Sequence, residues 1–257
     1  MTEPANVALV QSIANRSDLL RALRDGPVER RPLGDALGVS RSTVDRAVRN
    51  LSDHGLVAQT DAGLRLTLRG RLSLDAYDAF VETAAGLSRA RPLLAPLSDS
   101  VTLEPPLFRD ARLVDAHEDD PVGTLRSAME RADRVWLVTP IVLDDFVDAC
   151  RSAVVDGGLD LDLVCTSTAL DSLVTDHRDA VLSAMDTGRL RLHRTGRDFE
   201  CGLFVVDADD DTAAYAIVFD GDDGVRAVVA SDDEQAGAWA RHRATSLVEG
   251  ATPLSPE

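Results

Sequence analysis

Leu9, Val10, Ile13, Leu19, Leu20 and Leu23 recur near helical spacing, which predicts a helix over 6–23. Asp25-Gly26-Pro27 ends it. Leu33, Ala36 and Leu37 predict a short helix over 33–37, and Gly38 supplies the turn because glycine reaches positive φ at little cost. Ser40 then offers a capping oxygen. Over 41–54, Val44, Ala47, Val48 and Leu51 define one apolar helix face. The opposite face carries Ser42, Arg46 and Arg49, flanked by Arg41, Thr43 and Asn50. Beyond Gly55, segments 56–59 and 64–68 flank Asp61-Ala62-Gly63 and predict a β-hairpin, with Arg65 and Arg69 on or near it.

A second long apolar stripe follows. Leu72, Leu74, Tyr77, Phe80, Val81, Ala84 and Leu87 predict one helix over 71–90, closed by Pro92 and Pro96. From Val101 the pattern changes. Strands are predicted over 112–114, 135–138, 161–165, 189–193, 202–206, 213–219 and 225–230. Helices are predicted over 121–131, 143–155, 168–185 and 233–248. Strands and helices alternate first and strands then run consecutively, as in a mixed sheet with helices on its faces. The chain therefore reads as α+β: a winged helix-turn-helix over 1–70, a linker and dimerisation helix over 71–91, and an α/β domain with a mixed sheet over 92–257.

Composition adds three points. At 257 residues and 44% hydrophobic, the chain can build a real core. It holds no apolar run near the roughly 18 residues needed to cross a bilayer and no secretory pattern at Met1 to Ala14, so a cytoplasmic protein is expected. Its three cysteines, Cys150, Cys165 and Cys201, are widely spaced, which argues against a disulfide framework or a cysteine-rich zinc site.

Charge changes the picture more. The net charge is −17, and all 27 basic residues are arginine. This lysine-free, acid-rich composition resembles the proteins of haloarchaea that accumulate salt, and implies a halophilic archaeal source. Lacking lysine, the chain can hold neither a GxxxxGK phosphate loop, nor a Schiff-base lysine, nor a protein-kinase lysine. The acidity is uneven. Residues 1–70 carry ten arginines against eight acids, whereas 71–257 carry 17 against 36. A segment kept from acidity is one that must approach phosphate.

The polar face of 41–54 offers hydroxyl, guanidinium and amide groups, which contact phosphates and base edges. The candidate DNA-binding residues are Ser40, Arg41, Ser42, Thr43, Arg46, Arg49, Asn50 and Arg65. The run Leu33-Gly34-Asp35-Ala36-Leu37-Gly38-Val39-Ser40-Arg41-Ser42-Thr43-Val44, with Leu51-Ser52-Asp53-His54-Gly55-Leu56-Val57, resembles winged-helix regulators of the MarR and ArsR type. That resemblance implies a groove-reading second helix and a hairpin that touches backbone or minor groove. The second half resembles the C-terminal domain of haloarchaeal regulators related to the methanogen filamentation regulator. It does so through Val135-Trp136-Leu137-Val138-Thr139-Pro140, Gly202-Leu203-Phe204-Val205-Val206-Asp207, Val228-Val229-Ala230-Ser231 and Ala238-Trp239-Ala240-Arg241. More distantly it is similar to the phospholipase-D-like effector domains of the TrmB sugar regulators. The resemblance implies a transcription regulator whose second domain senses a small molecule. Groove-reading motifs commonly act as dimers, so a homodimer on double-stranded DNA is expected, with packing of the 71–90 helix on its own second domain as the alternative. The alternative is an interaction scaffold whose winged helix binds protein.

Catalytic chemistry finds little support. A phospholipase-D site needs a lysine beside its histidine, and none exists. The run Asp207-Ala208-Asp209-Asp210-Asp211 has calcium-loop spacing, but Thr212 and Val218 stand where glycine and a ligand are required, so a solvated hairpin tip is expected. No enzyme activity, cofactor or metal is expected. Ligands of α/β sheets favour the carboxyl ends of strands, which here places Thr139, Pro140, Thr166, Ser167 and Arg194 as candidates, with Arg197 as a further anion-holding group; the alternative is that these residues cap loops and pair with the many acids.

Overall fold

The structure, a computed structural model, describes residues 3–209, 211–221 and 224–254. The chain divides into two compact units, Met1–Glu82 and Thr83–Glu257.

The first unit contains α1 (Glu3–Ala14), α2 (Ser17–Ala22), α3 (Arg30–Leu37), α4 (Arg41–Asp53), β1 (Val57–Thr60), β2 (Gly63–Leu66) and the start of α5 (Leu68–Leu94). The single helix expected over 6–23 is two helices. Ile13 and Leu19 are six residues apart and cannot share a face of one helix, so the chain turns at Asn15-Arg16 and both become buried. Val10 stays exposed. In α3 the buried positions are Leu33 and Gly34, while Ala36 faces outward, because Gly34 lies against Val39 and Val44. Gly38 adopts the left-handed conformation at φ 64°, and Ser40 caps α4 by accepting from the Thr43 N–H at 3.2 Å. Val44, Val48 and Leu51 join Leu20, Leu23, Leu56, Leu64 and Leu74 in one core. Each such side chain contributes roughly 1.5–3 kcal/mol by leaving water.

The hairpin pairs Val57 with Leu66 and Thr60 with Gly63. Gly63 therefore begins β2 rather than sitting in the turn, and its need for glycine has a different cause. Its φ is 122°, and a Cβ there would lie 2.7 Å from the Val28 carbonyl oxygen. Val28 forms an antiparallel bridge to Leu64, with both backbone hydrogen bonds at 2.9 Å.

α5 starts earlier and ends later than expected, and Pro92 does not close it. Proline forfeits its hydrogen bond to the Ser88 carbonyl and its ring crowds that carbonyl; Pro92 and Ser88 are both exposed, which leaves the group open to solvent. Ala90 and Leu93, both buried, hold the last turn in place. The stripe also divides: Leu74 is buried, whereas Leu72, Phe80, Val81 and Leu87 are exposed.

The second unit has a 3-10 turn (Pro105–Phe108), β3 (Arg112–Asp115), α6 (Pro121–Met129), β4 (Arg134–Thr139), α7 (Asp144–Val155) and β5 (Asp160–Thr166). It continues with α8 (Ser167–Asp176), α9 (Arg178–Met185), β6 (Leu190–Thr195), β7 (Cys201–Ala208), β8 (Asp211–Phe219), β9 (Val225–Ser231), α10 (Glu234–Glu249) and β10 (Thr252–Pro253). The strands form one mixed sheet in the order β10-β6-β5-β4-β7-β8-β9-β3. Only β4, β5 and β6 run parallel; every other pairing is antiparallel. α10, the end of α5 and the 3-10 turn cover one sheet face, around Trp136, Val138, Val205 and Ala216. α6, α7 and α9 cover the other, around Val135, Leu137, Phe204 and Ile217.

The helix expected over 168–185 is also two. In a continuous helix His177 would lie on the buried stripe between Leu173 and Val181. Instead the backbone turns there, and the ring meets Asp144 at 2.9 Å. In the acidic run, Asp209 has φ 51° and Ala208 pairs with Asp211, while Asp210 lies outside the described residues. Among the described residues no helix is long and apolar enough to cross a membrane.

Candidate nucleic-acid interface and ligand cavity

α4 presents two faces of opposite chemistry. Val44, Val48 and Leu51 are buried, while Arg41, Ser42, Thr43, Arg46 and Arg49 are exposed and Asn50 is half-buried. Ser40 and Arg65 are exposed as well, the latter on β2. At the helix start the Ser40 Oγ lies 2.9 Å from the Ser42 Oγ and 2.9 Å from the Thr43 Oγ1, so three hydroxyls form one bonded group. Arg49 Nε donates to the Asp45 carbonyl oxygen at 3.3 Å, and Arg65 Nη1 to that of Leu66 at 3.3 Å.

The arginines of this unit fall into two sets. Arg21 pairs with Asp78 at 2.7 Å and Asp18 at 3.1 Å, and its pKa is raised by the Asp78 hydrogen bond. Arg24 pairs with Asp75 and Asp78, and Arg30 with Asp45. Among the described residues, Arg41, Arg46, Arg49 and Arg65 form no ion pair. Their charge is available to a phosphate or a base edge.

A residue beyond the sequence reading joins them. Asn15, Arg16 and Ser17, at the corner between α1 and α2, share a cleft of about 450 Å³ with Thr43, Arg46 and Ala47. Arg16 Nε is buried there without a hydrogen-bond partner among the described residues. The signal for Arg16 was its place at the helix break, which the sequence pattern read as continuous helix.

The expected ligand residues divide between the two sheet faces. Thr139, Pro140 and Thr166 converge at the ends of β4 and β5, where Thr166 Oγ1 donates to the Pro140 carbonyl oxygen at 3.2 Å. Their side chains are largely spent on structure. Thr139 Oγ1 donates to the Ile141 carbonyl at 2.7 Å, and Thr166 Oγ1 caps α8 by accepting from the Ala169 N–H at 3.3 Å. Thr139 also edges an apolar cavity of about 70 Å³ that holds Cys150, Cys165, Phe146 and Phe219. Burial pushes both of these thiols up to about 12. Ser167 and Arg194 are exposed and line neither this cavity nor the next.

Arg197 lies on the other face, beyond the end of β6, and lines a cavity of about 250 Å³. Its backbone N–H donates to Thr195 Oγ1 at 3.1 Å. The cavity brings in Trp239 and Arg243 of α10, which the ligand reading missed, together with Asp198, Phe199 and Glu200. Their signal is periodic: Ala236, Ala240 and Ala244 pack on the sheet, so Trp239, Arg243 and Leu247 share the adjoining stripe.

The family described as methanogenesis regulatory protein FilR1, middle domain, matches residues 119–249. A second family, described as HVO_A0261 N-terminal domain, matches residues 4–89. Among solved structures, TrmBL2, an archaeal chromatin protein, is 15% identical, with 95% of this chain and 98% of that chain covered and a TM-score of 0.44. Nuc from Salmonella typhimurium, a phospholipase D family member, is 13% identical over 57% of this chain and 99% of its own, with a TM-score of 0.45. NucT from Helicobacter pylori is 11% identical over 56% and 99%, with a TM-score of 0.44. No curated protein matches the chain. With half the chain matched by the FilR1 middle domain and a winged helix-turn-helix in front of it, the chain belongs to the family of the methanogenesis regulatory protein FilR1, as a transcription regulator of that type.

Proposed function

We propose that the chain is a cytoplasmic, sequence-specific, ligand-responsive transcription regulator that binds double-stranded operator DNA as a homodimer. The observation that carries this reading is α4, whose buried apolar face fixes a polar face with Arg41, Arg46, Arg49 and Arg65 on and around it, none of them ion-paired among the described residues. Arg46 and Arg49 are the groups suited to base edges, and Arg41 and Arg65 to phosphate, while the hydroxyls of Ser40, Ser42 and Thr43 suit either; Asn50 flanks them with its Oδ1 buried. The exposed Leu72, Phe80, Val81 and Leu87 of α5 support pairing with a second copy. The cavity around Arg197 supports effector binding. Membership in the family of the methanogenesis regulatory protein FilR1 favours the same reading.

The charge pattern supports a halophilic setting and gives the reading a measurable form. At about 1 M salt the Debye length is about 3 Å, which removes long-range attraction to phosphate. The same salt screens repulsion between DNA and the acidic remainder of the chain. What survives is short-range: arginine forks and groove packing. Operator affinity of the full chain, with the operator drawn from genome-wide occupancy mapping, is to be measured from about 0.5 M to about 3 M potassium chloride with folding monitored alongside. A shallow dependence is expected. A steep monotonic loss with the fold intact would overturn the charge argument, and absence of any DNA preference would overturn the function.

A further inference from the structure

The cavity around Arg197 combines both signs of charge with an apolar wall. α10 turns Trp239, Arg243 and Leu247 toward it at successive turns, and the segment after β6 supplies Arg197, Asp198, Phe199 and Glu200. Among the described residues neither Arg197 nor Arg243 forms an ion pair. That is notable in a region where 36 acids face 17 arginines. Asp198 forms none either. Glu200 is held in place by Ser98, whose N–H donates to it at 2.8 Å and whose hydroxyl donates to its other oxygen. Two cations and two carboxylates therefore border one small space.

The charges that line the cavity decide between ligand classes. A net anion would meet Asp198 and Glu200 as like charges at contact range, where salt screens little. A net-neutral molecule with separated charges meets the arginines and the carboxylates without that penalty. Its size is bounded too, since about 250 Å³ falls just under the usual ~300–1,000 Å³ of small-molecule pockets. Trp239, Phe199, Val138 and Leu203 supply the apolar wall.

We propose that this cavity binds a small α-amino acid with an apolar side chain. The carboxylate meets Arg197 and Arg243, the ammonium meets Asp198 and Glu200, and the side chain lies against Trp239 and Phe199. This rests on the ligand-responsive reading above and names the class of effector.

The test is calorimetric titration of the full chain with L-phenylalanine and L-leucine. Phenylacetate, which lacks the ammonium, and 2-phenylethylamine, which lacks the carboxylate, serve as controls. Saturable binding of at least one amino acid is expected, with its truncated analogues weaker by about tenfold or more. Asp198→Asn, at an exposed position, and Arg243→Gln should each weaken it by about tenfold. Trp136→Phe leaves Trp239 as the sole tryptophan, and its emission should shift on binding. No heat and no emission change from either amino acid up to about 10 mM, or equal binding of phenylacetate, would overturn the proposal. Operator affinity with and without the amino acid separates the two readings. Binding without an effect on DNA keeps this site and removes ligand-responsive control. Control by another metabolite without amino-acid binding does the reverse.

Discussion

Asp162 and Arg191 face each other across the parallel β5–β6 pair, with Arg191 Nε donating to Oδ1 at 2.7 Å and Nη2 to Oδ2 at 2.9 Å. Arg134 adds a third bond, to Oδ2 at 2.7 Å, and His193 Nε2 stands 3.4 Å from Oδ1. Asp162 is only 2% exposed. Burial works against its charge, yet hydrogen bonds from His193, Arg191 and Arg134 outweigh burial and hold the carboxyl below the usual range.

Asp162→Ala should destabilise the second unit by about 1–3 kcal/mol. The loss stays at that level because both arginines are near 40% exposed, at 43% and 39%, and recover solvation from water. Because the folded carboxyl titrates below the unfolded one, its contribution is complete above about pH 4 and is lost as pH falls further. Denaturant melts of wild type and variant at pH 7 and pH 3 check this, and the gap between them should narrow at the lower pH.

Arg46→Ala should weaken operator binding by about 1–3 kcal/mol, since Arg46 lies opposite the Val44–Leu51 face and has no ion pair among the described residues. Titration of labelled operator, with circular dichroism to confirm the fold, measures it. Equal affinity in a folded variant would remove Arg46 from the interface.

Phe80→Ser should shift association toward monomer while leaving thermal stability nearly unchanged, because the ring is 69% exposed. Leu74→Ala should do the opposite. It sits in the core and should cost about 2–5 kcal/mol of stability. Sedimentation across a concentration series separates the two effects.

Gly63→Ala should destabilise the winged helix by about 1–3 kcal/mol or more. The added methyl meets the Val28 carbonyl, and the residue must hold φ 122°. Loss of the Val28–Leu64 bridge should appear as faster amide exchange at Val28 and Leu64.

Burial pushes Cys150, Cys165 and Cys201 each up to about 12. Their neutral state favours the fold below the unfolded thiol range, so this contribution is lost as pH rises from about 9 toward 12. Cys165 is buried, whereas Cys150 and Cys201 are half-buried, so native protein at pH 8 should alkylate with iodoacetamide more slowly than the unfolded chain, and most slowly at Cys165. A thiol that reacts equally fast in both states would contradict its burial.

Local periodicity made most elements legible. The strands around Leu137, Leu163 and Val205 and the two faces of α4 follow directly from spacing. What escaped depended on partners distant in sequence. The pattern carries no sign that β3 ends beside β9, or that Thr252–Pro253 completes the far edge. The breaks at Asn15-Arg16 and His177 were visible only as faults in phase, at Ile13 to Leu19 and at a polar residue on a buried stripe. Arg197 was reachable from the strand-end rule, but Trp239 and Arg243 arrive from a helix some forty residues later. At Thr139 and Thr166 the residue types fitted ligand binding and loop capping alike, and in the fold their hydroxyls serve a loop and a helix cap.

The bonded hydroxyls of Ser40, Ser42 and Thr43 bear on the grammar of the operator. A hydroxyl can rotate to present either a hydrogen or a lone pair, and in a linked trio each rotation is compensated by its neighbours. Such a group tolerates donor and acceptor edges alike, so it discriminates poorly between bases. An arginine fork presents donors only and selects guanine. The recognised DNA should therefore alternate permissive columns beneath the start of α4 with strict ones beneath Arg46 and Arg49, and regulatory sites across a genome should drift at the former while holding at the latter.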